Sequence, residues 1–295
     1  MQTVSNDHLI LPAAASAPWR QAWAIMWRIT VFFVLWGGLM APAVLPQAWL
    51  QDLGQRSPAG LRFWFDGTGL LSSLAACWIM VRWIDCGATL GFGRVNAAAG
   101  VLRGLAGGVA WLGISLGLVA LLGGVNFAPR GMFSGSGLSL AAVSLLLNAA
   151  LQEIIARSYI FQLVLRRSGP AWAVFVSSVI FTAMHAGAFQ GAVLPMVNVF
   201  AASVLFGLVR LRTGGLWAVI TLHFAWNFLV GPGLGLAVSG RDLADGWQLL
   251  SLSGPGWLTG GTFGIEGSAV VTVVTLAACV LVGRRDGALS LRSGE

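Results

Sequence analysis

Glu153 is the one glutamate of the chain that sits inside an apolar helical stretch, and Arg157 follows it one turn later. His185, His223 and Asn227 lie in later apolar stretches. Charged and imidazole groups are costly in hydrocarbon, so a membrane chain keeps them for pairing, ion pathways or chemistry. A carboxylate and imidazoles can move protons, and an amide can donate a hydrogen bond toward the same point; the set therefore points to acid–base chemistry. Glu153 and Arg157 are four residues apart and share a helix face, as do His223 and Asn227.

Counted from the cytoplasmic end of each stretch, Glu153 lies thirteen residues from Arg166, His185 fifteen from Pro170 and His223 eleven from Arg212. At about 1.5 Å per residue these are depths of roughly 16–23 Å, near the middle of a bilayer. Separate helices thus bring their costly groups to one layer. Taken singly, each has a structural reading: Glu153 with Arg157 as an ion pair, each histidine as a packing residue, and Asn148, Gln152 or Asn198 as bonds between helices. Their common depth favours function.

The elements that must position these groups are membrane spans. The chain has 295 residues, of which 57% are hydrophobic and 9% charged. Apolar segments near 22–45, 61–82, 104–124, 138–165, 171–190, 193–210, 215–232 and 267–283 predict an all-α polytopic membrane bundle of about eight transmembrane helices, in one integral membrane domain over 1–295. Only 233–266 is long enough for a sizeable loop, and its glycines, polar residues and Trp247 and Trp257 place it at the membrane surface. Trp19, Trp23, Trp27, Trp83, Trp172 and Trp217 fall at predicted interfaces, where an aromatic belt is expected. Asp66 and Asp85 fall near span ends and read as structural.

All 17 basic residues are arginines, and the formal charge is +7. They stand at the ends of apolar segments, so they read as a topology signal, not as a nucleic-acid surface. With a cytoplasmic N-terminus, alternate loops carry Arg82, Arg94 and Arg103, then Arg166 and Arg167, then Arg210 and Arg212, then Arg284, Arg285 and Arg292. The opposite loops carry Arg56, Arg62, Arg130 and Arg241. Both termini are then cytoplasmic. The short apolar stretch from Leu9 to Ala17 has no basic region before it, and the first span serves as its own anchor. Cys77, Cys86 and Cys279 have no metal-knuckle or disulfide spacing. Gly104 with Gly108, and Gly113 with Gly117, have the spacing of close helix contacts, expected inside the monomer. Oligomeric state is left open.

The runs Leu151-Gln-Glu-Ile-Ile-Ala-Arg157-Ser-Tyr159, Phe181-Thr-Ala-Met-His185 and Gly215-Leu-Trp-Ala-Val-Ile-Thr-Leu-His223-Phe-Ala-Trp-Asn227 resemble the three motifs of the CPBP family, the intramembrane proteases related to CAAX prenyl endopeptidases and to bacteriocin-processing proteins. The family patterns are Glu-Glu-xxx-Arg, Phe-xxx-His and His-xxx-Asn, and the resemblance covers about 138–232. It implies a CAAX-protease-like core and a glutamate-type intramembrane endopeptidase that cleaves a peptide or membrane-anchored protein in a bacterial cytoplasmic membrane. Glu153 with His185 would polarise a water, His223 and Asn227 would stabilise the oxyanion, and Arg157 would orient the glutamate. The first glutamate of the family pair, usually assigned as the base, is Gln152 here. An amide cannot take that proton, so a proteolytically inactive binding or immunity protein is the alternative. The resemblance implies no metal and no other cofactor. If zinc were bound, Glu153, His185 and His223 would be its ligands.

Overall fold

The computed structural model describes residues 18–86, 88–93, 97–132, 134–244 and 246–290, with side chains up to Arg284. The stretch Leu9 to Ala17, Arg94 and Arg292, and the side chain of Arg285, lie outside what is described. In chain order the elements are α1 (Pro18–Val44), α2 (Gln47–Arg56), α3 (Pro58–Ile79), α4 (Ala97–Leu121), β1 (Val125–Arg130), α5 (Gly135–Arg157), α6 (Tyr159–Ser168), α7 (Pro170–Met184), α8 (Val193–Thr213), α9 (Trp217–Phe228), β2 (Gln248–Leu252), α10 (Gly256–Thr259) and α11 (Ala269–Ser290). α3 and α9 each run on into a wider turn, at 80–84 and 229–233.

The chain is a multi-pass membrane protein, an all-α bundle with one small sheet. Each of the eight predicted segments corresponds to a helix, but not all are full-length spans. Among the described residues five helical stretches are long and apolar enough to cross a bilayer: 18–44, 58–84, 97–121, 135–168 and 193–213. α7 and the apolar part of α11 are shorter, and α9 has 12 residues. The outward surfaces are apolar as well: Val34, Leu71, Leu102, Ile114, Leu121 and Val273 are all exposed, as lipid-facing side chains are.

Local signals fix several helix ends. Ser57 Oγ accepts from Gly60 N at 3.0 Å with Pro58 at the first helical position of α3, and Ser134 Oγ accepts from Gly137 N at 3.1 Å to start α5. Gly214, at φ 67°, ends α8 in the left-handed conformation. The predicted span 138–165 is broken at Ser158, which separates α5 from α6. Arg210, counted above as a cytoplasmic arginine, is buried, and its Nε donates to the Arg157 carbonyl at this break, 3.3 Å away.

Two apolar cores flank α5. One joins α4, α8, α9 and α11 through Trp111, Phe206, Val219, Trp226 and Val274. The other joins α1, α3 and α6 through Phe32, Met80, Tyr159 and Ile160. Ala156 of α5 belongs to the first and Ile154 and Ile155 to the second, so the motif helix is the wall between them.

The segment 233–266 departs from the surface loop expected of it. β2 pairs antiparallel with β1, Phe127 opposite Leu250, with an irregularity between Phe127 and Arg130. Leu236, Val238, Leu258, Phe263 and Ile265 are buried in the first core. Its glycines separate apolar residues that are spread thinly, and these five are turned inward while Trp257 stays exposed.

Candidate active site

α5 carries two polar faces. Gln152 and Glu153 are neighbours, about 100° apart around the helix axis, and they enter different surroundings.

On the inner face, Glu153 and Arg157 are both fully buried. Arg157 Nη1 lies 3.2 Å from Glu153 Oε2 and donates to Oε1 at 3.4 Å. Its Nη2 donates to the Ser203 carbonyl of α8 at 3.0 Å and to the Ser203 hydroxyl. The guanidinium also lies over the Phe181 ring, 4.5 Å from its centroid. His223 Nδ1 is 2.9 Å from Glu153 Oε1. A carboxylate only accepts, so Nδ1 carries a hydrogen. Phe206, at 5.2 Å, and Phe181, at 5.7 Å, hold the His223 ring.

On the other face, Gln152 lines a cleft of about 330 Å³ together with His185, Asn227, Asn148 and Asp66. α7 ends at Met184, and the next residue, His185, turns back so that its Nδ1 meets the Phe181 carbonyl at 2.8 Å. That bond makes Nδ1 the donor and Nε2 the ring's acceptor. Asn227 reaches the cleft from α9, one turn beyond His223. Phe181 touches both layers, because its ring also lies 4.7 Å from that of His185.

The six residues singled out by sequence therefore form two layers: Gln152, His185 and Asn227 in the cleft, and Glu153, Arg157 and His223 packed behind it. His223 is not among the residues lining the cleft. His185 is within electrostatic reach of Glu153, Arg157 and His223.

Asp66 departs from the span-end role expected of it. It is inside the cleft, accepting from Ser144 Oγ and from Asn148 Nδ2, each at 2.8 Å. Asp85 is structural, as expected: it pairs with Arg28 at 3.0 Å and accepts from the Tyr159 hydroxyl at 2.5 Å. Glu266 ends a glycine-rich loop in which sequence alone marks no site, yet its carboxyl is enclosed. It accepts from Trp226 Nε1 at 2.8 Å and from the backbone and hydroxyl of Ser239, a cleft residue. Burial pushes this carboxyl above the usual range, against the hydrogen bonds, which pull it down. Asn198 is a bond between elements: it donates to the Glu266 and Ser268 carbonyls at 2.8 and 2.9 Å.

The zinc set does not fit this arrangement. Glu153 is held between a guanidinium and an imidazole N–H, and a guanidinium beside a metal ligand repels the ion. Among the described residues no three His, Cys, Asp or Glu side chains form a metal-binding group.

No curated protein and no solved structure matches the chain. Residues 134–229, about a third of its length, match the family model described as Rce1-like, type II CAAX prenyl endopeptidase Rce1-like. The matched segment runs from the cap of α5 to the end of α9 and contains both polar layers. Over that segment the chain is similar to the CPBP/CAAX protease family.

Proposed function

We propose that the chain is an intramembrane endopeptidase that hydrolyses a peptide bond of a membrane-anchored peptide or protein in the cleft shared by Gln152, His185 and Asn227. The supporting observation is that these residues come from three helices yet line one cavity, with the acceptor nitrogen of His185 left for chemistry by its Nδ1 bond to Phe181.

In this reading Gln152 Oε1 accepts a hydrogen bond from a water, and His185 Nε2 takes a proton from the same water as it attacks the scissile carbonyl carbon. The carbonyl electrons move to oxygen, where the Asn227 amide donates. His185 then returns its proton to the amide nitrogen, the carbonyl re-forms as the C–N bond breaks, and a carboxylic acid and an amine result; the acid gives its proton to the amine, and a carboxylate and an ammonium leave. Glu153, Arg157 and His223 act from behind by fixing α5, α8 and α9 against one another. No step passes through a metal.

The cleft lies at the end of the bundle where α3 and α5 begin and α7 and α9 finish, and the arginine-rich helix ends lie opposite. The positive-inside rule then gives cytoplasmic termini in a bacterial cytoplasmic membrane and a cleft that meets substrate from the outer side.

The test is cleavage of a panel of membrane-anchored peptides by the protein in proteoliposomes prepared in ¹⁸O-water. One ¹⁸O should appear in each new carboxylate, and His185→Ala should lower kcat/KM by about 10²–10⁴-fold while thermal stability is kept. Undiminished cleavage by a folded His185→Ala protein would overturn the proposal. The amide at Gln152 favours a second reading, a proteolytically silent peptide binder. Saturable peptide binding without any ¹⁸O incorporation would support it, and incorporation by the wild type would remove it.

A further inference from the structure

Asp66 is the one acid among the described residues lining the cleft, and the mechanism above gives it no part. It stands on α3 opposite Ser144, Asn148 and Gln152, which follow one another at one-turn spacing along α5. Ser144 Oγ donates to Asp66 Oδ2 and Asn148 Nδ2 donates to Oδ1, while Gln152 Nε2 donates to Asn148 Oδ1; all three bonds are 2.8 Å.

These bonds have a direction that Asp66 imposes. A carboxylate accepts and never donates, so Asn148 must turn its NH₂ to Asp66 and its carbonyl oxygen to Gln152. Gln152 must then turn its NH₂ to Asn148. What remains of its amide is the carbonyl oxygen, which is buried and has no hydrogen-bond partner among the described residues. Arg62 and Arg241 line the same cleft and act electrostatically on Asp66 as positive charges.

We infer that Asp66 is a positioning residue: through Asn148 it fixes the Gln152 amide so that the group left free at the edge of the cleft is a hydrogen-bond acceptor and not a donor. The inference rests on the cleft being the working site proposed above. It gives Gln152 a definite part, since an amide so held orients a water or a substrate N–H as a carboxylate oxygen would, and leaves proton transfer to His185.

The relay also explains why glutamine suits this position beside Asp66. A glutamate at position 152 would face the carbonyl oxygen of Asn148, and flipping Asn148 would turn that oxygen onto Asp66. Two carboxylates at opposite ends of one such amide cannot both be satisfied without rearrangement. When Asp66→Asn accompanies Gln152→Glu, the whole chain of bonds can reverse. The amide introduced at position 66 then donates to Asn148, and Asn148 donates to the carboxylate introduced at position 152.

The experiment compares four full-length proteins: wild type, Asp66→Asn, Gln152→Glu and the double variant. Melting temperature is read in detergent and cleavage in proteoliposomes. Asp66→Asn alone should lower kcat/KM about fivefold, the worth of one oriented hydrogen bond. Gln152→Glu should lower Tm by about 2–4 °C when Asp66 is present, and adding Asp66→Asn should restore it. If Gln152→Glu does not fold, folding recovered in the double variant is the same rescue. A double variant no more stable than Gln152→Glu alone, or Tm shifts that simply add, would overturn the relay. If Tm coupling appears and none of the four cleaves, the relay stands and the protease reading falls. If cleavage depends on His185 while the Tm shifts add, the protease reading stands and the relay falls.

Discussion

Arg157 and Glu153 carry opposite charges and are buried side by side, so each depends on the other for compensation of its charge. Their side chains are wholly buried, and the remaining guanidinium contacts are Ser203 and the Phe181 and Phe206 rings. Such a pair adds little net stability, because desolvation offsets most of the attraction, but removing one partner strands a buried charge. Arg157→Ala or Glu153→Ala should therefore destabilise the protein by about 3–5 kcal/mol. Replacing both, as Glu153→Gln with Arg157→Met, should cost less than the sum of the single changes. Unfolding in mixed micelles would measure it, and strictly additive losses would contradict the pairing. This pair was legible in the sequence, because four-residue spacing is a local signal. The contact between Asp66 and Asn148 spans 82 residues, so nothing in the spacing revealed it. Gln152 was legible as a departure from a motif, but not as the residue turned toward the cleft, since the rotation of a helix depends on what packs around it.

Helix α9 holds His223 and Asn227 where they are because α4 comes unusually close to it. A Cβ built on Gly104 would overlap Thr221 Oγ1 and the Ala218 carbonyl, and one on Gly108 would lie 2.6 Å from Ala225 Cβ. Thr221 Oγ1 completes the contact by donating to the Val101 carbonyl at 3.2 Å. Gly113 and Gly117 have open space within 4 Å and play no part. Gly104→Val should push α9 away, lowering Tm and cutting kcat/KM by at least about 100-fold, the effect of a displacement near 1 Å at an active site. Gly113→Ala should be neutral or slightly stabilising, since alanine favours helix. Equal behaviour of the two variants in a thermal and kinetic comparison would sink this account. The spacing of both pairs predicted close approach, yet spacing cannot say which pair meets a neighbour. Helix positions were legible from hydropathy because lipid demands apolar length. The break at Ser158 and the pairing of β1 with β2 were not. Neither has a composition signal: Pro129 sits inside β1, and the two strands are joined only through a long intervening chain.

Over the whole molecule, the cleft and the arginine-rich helix ends lie at opposite ends. Arg28 pairs with Asp85, Gln162 Nε2 donates to the Thr89 carbonyl at 2.8 Å, and Ser158 Oγ donates to the Leu90 carbonyl at 2.5 Å; the start of α1, the end of α3 and α6 thus share one end. Arg82, Arg166 and Arg167 belong to it. Arg62 and Arg241 stand at the other end, on the cleft. Orientation in the membrane consequently decides which compartment supplies substrate. Cys86 is exposed at the arginine-rich end, while Cys77 is buried and Cys279 only partly accessible, so one native thiol reports on that side. Asp242→Cys would add an exposed thiol beside Arg241 at the cleft. In intact spheroplasts a membrane-impermeant maleimide should modify the introduced thiol and leave Cys86 untouched until the membrane is permeabilised. Labelling of Cys86 alone would reverse the bundle and turn the cleft to the cytoplasm. Under the proposed function the site chemistry would be unaffected, but the substrates would then have to be tails presented from inside the cell, because the charged Arg62, Asp66 and Arg241 on the cleft favour entry from the aqueous side.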